Sequence, residues 1–159
     1  MRATERLVEV WKFGGASLAD AEAMGRAVAL IRKERGPLVV VASALAGVTD
    51  LLLEGARAAA AGGRGGAAGT AATFLRRHRE AVRTLLPPGR ARRRLLGVVD
   101  AAAREYRDLC AAVGVLGHLE PRTSDRLVSR GERLSAAILT AALNRARRPS
   151  VCIDAARIV

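Results

Sequence analysis

Three short segments carry residue types suited to an anionic substrate. The first is Lys12-Phe13-Gly14-Gly15. Two adjacent glycines let backbone amides approach an anion closely, a following helix N-terminus adds positive potential, and a lysine reaches a phosphate as a mobile point charge. Its glycine spacing fits neither a Walker A loop nor the dinucleotide fingerprint. Alone, it reads equally well as a tight turn beside a surface lysine. The second segment is Ser43-Ala44-Leu45-Ala46-Gly47-Val48-Thr49-Asp50. The hydroxyls of Ser43 and Thr49 could donate to a carboxylate or phosphate, or Thr49 could simply cap a helix. The third is Ser129-Arg130-Gly131-Glu132-Arg133-Leu134-Ser135. There Glu132, beside a glycine in an otherwise apolar helix, could bind an ammonium group. Its plain reading is an exposed glutamate pairing with Arg133 or a neighbour, which contributes little.

The elements around these segments set where they can meet. Leu7 to Lys12 alternates as a first strand, and Asp20 or Ser17 can cap the helix after it. In that helix Met24, Ala27, Val28 and Ile31 form one apolar stripe, and Gly36-Pro37 ends it. Leu38 to Ala42 is a continuous apolar run, the pattern of a strand covered on both faces. Strand, helix and strand in this order predict a βαβ unit with a parallel sheet, whose ligands bind outside the carboxyl ends of the strands. Beyond Asp50 helical spacing dominates. It runs from Leu51 to Ala61, then through Phe74, His78, Ala81, Val82 and Leu85, then through Leu95, Val99, Ala102, Tyr106, Leu109 and Val113. Gly62 to Gly69 reads as a flexible low-complexity loop. Thr123 or Ser124 can cap a last helix with Leu127, Leu134, Ile138 and Ala141 on one side, and Ser150 to Ile153 reads as a third buried strand. Three strands fall short of the ~5 of a doubly wound sheet, so the sheet is expected to be incomplete.

Composition narrows the classes. The 159 residues are 50% hydrophobic and 26% charged, which suits a globular domain. A net charge of +12 raises nucleic acid as a partner, through Arg90, Arg92, Arg93 and Arg94 and the Gly62 to Gly66 loop. No aromatic residues are interleaved with those arginines for stacking, so an arginine-rich nucleic-acid-binding module is the weaker alternative. Lys12 and Lys33 are the only lysines, the bias that a GC-rich coding sequence produces. Cys110 and Cys152 lie in apolar stretches without metal-ligand spacing, so two buried thiols and no metal site are expected. His78 reads as a partly buried structural residue and His118 as a loop residue. With no signal-peptide core and no run of the ~20 apolar residues that spans a bilayer, the expected location is the cytoplasm, with no membrane partner.

Taken together and in this order, Lys12-Phe13-Gly14-Gly15 with Ser17-Leu18-Ala19-Asp20, Ser43 to Asp50, and Gly131-Glu132-Arg133-Leu134-Ser135 resemble the aspartate kinases of the amino-acid kinase superfamily. The resemblance runs from Val10 to the end. The long helical span between Thr49 and Glu132, together with Ala46, is most similar to the lysine-sensitive types and to those fused to homoserine dehydrogenase. The Ser43 to Asp50 and Gly131 to Ser135 pair argues against a glutamate or carbamate kinase, the other family members weighed.

The resemblance implies an α/β fold of three αβα layers with a mainly parallel sheet, incomplete at the C-terminus, and a helix-rich insert in the middle. Residues 1–159 would then be the N-terminal, amino-acid-substrate part of a catalytic domain, without the nucleotide-binding half or regulatory ACT domains. It implies ATP and Mg²⁺, with Lys12 as the catalytic residue and Lys12, Gly14 and Gly15 on the ATP phosphates. Ser43 and Thr49 would line the aspartate pocket, and Glu132 would meet the substrate amino group. The implied reaction is phosphorylation of L-aspartate to 4-phospho-L-aspartate, the first step of lysine, threonine and methionine biosynthesis. The full-length parent is expected to be a homo-oligomer and the isolated chain an inactive fragment. Ala16 departs from a frequent Thr or Ser, and Asp154-Ala155-Ala156-Arg157 departs from the usual Asp-Ala-Arg. A carboxylate nucleophile with a reference pKa of ~4 is already ionised at neutral pH, so the absence of histidine from all three segments fits this chemistry.

Overall fold

The computed structural model describes residues 8–63 and 65–155. Strand β1 (Glu9–Phe13) is followed by a 3₁₀ turn (Gly15–Leu18), helix α1 (Ala21–Ile31) and strand β2 (Leu38–Ala42). Four helices complete the chain: α2 (Val48–Ala60), α3 (Gly66–Leu85), α4 (Arg90–Leu116) and α5 (Pro121–Arg145). The expected βαβ unit is present, since β1 and β2 pair in parallel with Glu9 opposite Leu38 and Phe13 opposite Ala42. Both strands therefore end level. Asp20 provides the helix cap, accepting from the Ala23 amide at 2.8 Å, while the Ser17 amide donates to the Gly14 carbonyl inside the 3₁₀ turn. The α1 stripe of Met24, Ala27, Val28 and Ile31 is buried as its spacing predicts.

Several local expectations are corrected. The sheet is covered on one face only. Trp11, Leu38, Val40 and Ala42 pack against the core, but Val8, Val10, Val39 and Val41 remain 48–66% exposed. Continuous valines alone do not tell a strand covered twice from a strand covered once. Ser150 to Ile153 is not a strand among the described residues, and Val151 and Ile153 are exposed. It is held instead by Asn144, whose amide group exchanges two 2.9 Å hydrogen bonds with the Ser150 backbone. Cys152 on this segment is accordingly exposed, whereas Cys110 is buried as expected. The glycine-rich stretch is shorter than read, because α3 starts at Gly66 and its next turn buries Thr70 and Ala71. Gly47 (φ 70°), in place of Thr49, is the N-cap of α2, and Glu120 followed by Pro121 starts α5 ahead of Thr123 and Ser124. Leu7 and Arg157 lie outside the described residues.

Most of the core lies in the helices. Phe74, Leu52, Tyr106, Leu127 and Ile138 are fully buried, and burial of each such side chain contributes about 1.5–3 kcal/mol. Tyr106 also satisfies its hydroxyl, which donates to the Leu52 carbonyl at 2.9 Å. At Gly55 the approach of α2 to α3 and α4 leaves no room for a side chain: a Cβ would meet the Tyr106 hydroxyl and stand 2.5 Å from Thr70 Oγ1. No helix among the described residues is long and apolar enough to cross a membrane.

Candidate functional site at the carboxyl edge of the sheet

Because β1 and β2 are parallel and end level, their two following loops leave the sheet side by side. The Ser43 amide donates to the Phe13 carbonyl at 3.0 Å, which extends the strand pairing one step. The glycine turn then touches the second loop, since the Cβ position of Gly15 lies 3.6 Å from Ala44 O and from Ala46 Cα. A Cβ at Gly14 would meet nothing within 4 Å, so there is space beside this turn, while the Gly14 carbonyl accepts from the Ser17 amide. Lys12 is exposed, opposite Val41 on the uncovered face of the sheet.

The second loop is tightly anchored. Ala44 and Leu45 are buried, the Val48 amide donates to Leu45 O at 3.0 Å, and Gly47 takes the left-handed conformation that glycine adopts without strain. Ser43 is half-buried above these anchors, and Thr49 is exposed in the first turn of α2, where the helix amides face outward.

Helix α5 joins this edge through Gly131. A Cβ there would lie 2.8 Å from Val48 Cγ1 and 2.9 Å from Ala44 Cβ, so α5 rests directly on the second loop. The next residue, Glu132, is exposed. The pairing of Glu132 with Arg133 weighed from the sequence is not the one formed, as Arg133 bonds Asp154 on the C-terminal segment. The structure thus gathers the three segments along one edge. Gly14, Ser43, Thr49 and Glu132 each adjoin a residue in these contacts, and Lys12 is the penultimate residue of the strand that leads into them.

Two polar residues on α5 escaped the sequence reading. Arg130 is buried, bonds the Arg126 carbonyl and meets Glu105 at 3.3 Å, with burial lowering its pKa below the usual guanidinium value. Ser135 is fully buried one turn beyond Gly131, with no hydrogen-bond partner for its hydroxyl among the described residues. The available signal was Gly131 itself, since a glycine inside a helix costs ~1 kcal/mol relative to alanine and marks a close approach. His78 is more deeply placed than expected. It is fully buried in α3, its Nδ1–H donates to the Phe74 carbonyl at 2.8 Å, and burial brings its pKa down to about 4. His118 is the exposed loop residue expected, 3.4 Å from Glu120. No group of three or more His, Cys, Asp or Glu residues among those described could hold a metal ion.

With this geometry in place, comparison with known proteins is informative. Residues 8–158 match the amino acid kinase family. An aspartokinase of Chlamydia muridarum (strain MoPn / Nigg) is 32% identical over 130 residues, covering 82% of this chain and 26% of the relative. The crystal structure of E. coli aspartokinase III in complex with lysine and aspartate, in its T-state, superposes with a TM-score of 0.73 at 26% identity, covering 92% of this chain and 30% of that one. The same enzyme in complex with aspartate and ADP, in its R-state, gives 0.71 at 27% identity, covering 89% and 30%. The chain thus spans less than a third of the length of these relatives. It belongs to the amino acid kinase family and carries that family's α/β fold, and its likeness within the family is to the N-terminal catalytic region of aspartokinases.

Proposed function

We propose that residues 1–159 form the amino-acid-substrate part of an aspartate kinase, which transfers the γ-phosphoryl group of ATP to the side-chain carboxylate of L-aspartate. The observation that carries this reading is the convergence of the Lys12–Gly15 turn, the Ser43–Asp50 loop and the Gly131–Glu132 step of α5 on one sheet edge. Aspartate and ADP are the ligands named for the solved relatives, which supports the same chemistry here.

In this reading Glu132 takes the substrate ammonium group, and Ser43 and Thr49 donate to a carboxylate. The amides of Gly14 and Gly15 and the Lys12 ammonium stabilise phosphate oxygens. The attacking carboxylate needs no base. The difficulty is bringing one anion onto another, and positive charge with fixed orientation is what lowers that barrier. Mg²⁺ would arrive bound to the ATP phosphates as part of that substrate.

The test is a titration of the isotope-labelled chain with L-aspartate, followed on its backbone amides. Shifts centred on Ser43 to Asp50 and on Glu132 are expected, with ATP–Mg²⁺ moving Lys12 to Gly15. Glu132→Gln should weaken aspartate by ~10-fold or more, given the ~1.5–3 kcal/mol of a hydrogen bond to a charged group. The chain alone should form no aspartyl phosphate in a hydroxylamine trap. Amide shifts absent from this edge at saturating aspartate would end the proposal.

A further inference from the structure

The structure assigns Gly131 a role beyond permitting α5 to pack: we propose that its contact with Ala44 and Val48 sets the length of acidic amino acid that the site accepts. This rests on the aspartate-binding reading above. The contact is rigid on both sides. Val48 and Ala44 are 0% and 4% exposed, and both are short side chains that cannot swing aside. They are also bracketed by the groups that would hold the substrate, with Ser43 directly before Ala44, Thr49 directly after Val48, and Glu132 directly after Gly131. The distance from the ammonium-binding carboxylate of Glu132 to the hydroxyls of Ser43 and Thr49 is therefore fixed by how closely α5 sits on this loop.

A Cβ at Gly131 would stand 2.8 Å and 2.9 Å from its neighbours, where apolar carbons prefer ~3.5–4.0 Å, so α5 must retreat by roughly half an ångström or more. A ligand held at both ends feels that retreat directly. Aspartate, gripped by Glu132 at one end and by the hydroxyls at the other, would lose contact. Glutamate, one methylene longer, would lose less. Gly131 is thus a positioning residue whose effect on ligand choice is separable from its effect on stability.

The experiment compares four forms of the chain: wild type, Gly131→Ala, the relieved triple Ala44→Gly/Val48→Ala/Gly131→Ala, and its control Ala44→Gly/Val48→Ala. Affinities for L-aspartate and L-glutamate are read from amide titrations, with thermal midpoints beside them. Gly131→Ala should weaken aspartate by ~10-fold and narrow the preference for aspartate over glutamate. The triple should return to within ~3-fold of its control for aspartate, although its midpoint stays below wild type because buried methyl groups have been removed. If Gly131→Ala does not fold, the triple and its control carry the comparison. Unchanged aspartate affinity in Gly131→Ala, or a triple that stays weak beside its control, overturns the assignment. A wild-type chain that binds neither amino acid removes the aspartate reading and this inference with it, whereas binding with no response to Gly131 removes this inference alone.

Discussion

The helical layer of α2, α3 and α4 and the carboxyl edge of the sheet treat their polar groups in opposite ways. In the helical layer the Tyr106 hydroxyl is fully buried and bonded to Leu52, and His78 is sealed against Phe74 with ring centroids 4.3 Å apart. At the sheet edge Lys12, Thr49 and Glu132 stand in solvent on backbone that is itself anchored. One region encloses its polar groups, the His78 Nε2 even without a hydrogen-bond partner among the described residues, and supplies stability. The other leaves them free while holding their Cα positions, as a binding edge requires. A buried titratable group is therefore no guide to chemistry in this chain, and His78 belongs to the structural region.

That assignment is most exposed to test through pH. His78 has a folded pKa of about 4 against a reference of 6.5, so folding holds it neutral. Its contribution is fully present above pH 6.5 and is lost as the pH falls from 6.5 towards 4, because the unfolded chain takes up the proton first. The shift corresponds to about 3 kcal/mol. Urea unfolding should show wild type losing about 3 kcal/mol more stability than His78→Leu as the pH falls from 6.5 to 4. Parallel curves would mean that His78 titrates normally, and the contrast between the two regions would weaken.

Gly55→Ala probes the same layer by crowding. The added Cβ meets the Tyr106 hydroxyl and Thr70, neither of which has space to withdraw. Overpacking costs up to ~3 kcal/mol, and the better helix propensity of alanine returns ~1, so a net loss of about 2 kcal/mol in chemical denaturation is expected. A neutral or stabilising result would show that α2 can shift away from α3 and α4.

These two positions also show what a single sequence conveys. The α1 stripe, the Asp20 cap and the parallel βαβ order were legible because they depend on residues three or four apart or on chain order. The three segments of the candidate site stand out for the same reason, since each is contiguous in the chain. Depth and contact were not. Nothing near Gly55 or Gly131 in the chain says that Tyr106 or Val48 will face it, as these partners lie 51 and 83 positions away. Ser150 to Ile153 failed as a strand because pairing needs a neighbouring strand, and residue type cannot supply one. Composition predicts a loop over Gly62 to Gly69, but α3 starts at Gly66, with Thr70 and Ala71 buried in its next turn. Tertiary contact decided each case.

A smaller effect is expected at the start of α4. Arg90, Arg92 and Arg93 crowd its first turn, which contains no acidic residue, so positive side chains face the positive end of the helix dipole. Replacing the exposed Arg90 with Glu should raise stability by about 0.5–1 kcal/mol at low salt, with the gain fading as salt is added. Arg92 is half-buried and already donates to the Leu86 carbonyl at 3.5 Å, so a loss instead would give Arg90 a partner as well.

The smallest change in stability is expected on the uncovered sheet face, where Val10 and Val39 lie opposite each other and are 66% and 48% exposed. Solvent already reaches both side chains, so Val10→Lys/Val39→Lys should stay within about 0.5 kcal/mol of wild type. What should change is association. Val8, Val10, Val39 and Val41 form a contiguous apolar patch beside an open strand edge, and such surfaces draw chains together. Light scattering across a concentration series should show the wild-type chain gaining mass and the double lysine variant holding a constant one. If instead the variant loses more than ~1 kcal/mol and its mass behaviour matches wild type, this face is covered within the monomer, and the helices are no longer the only region with a closed core.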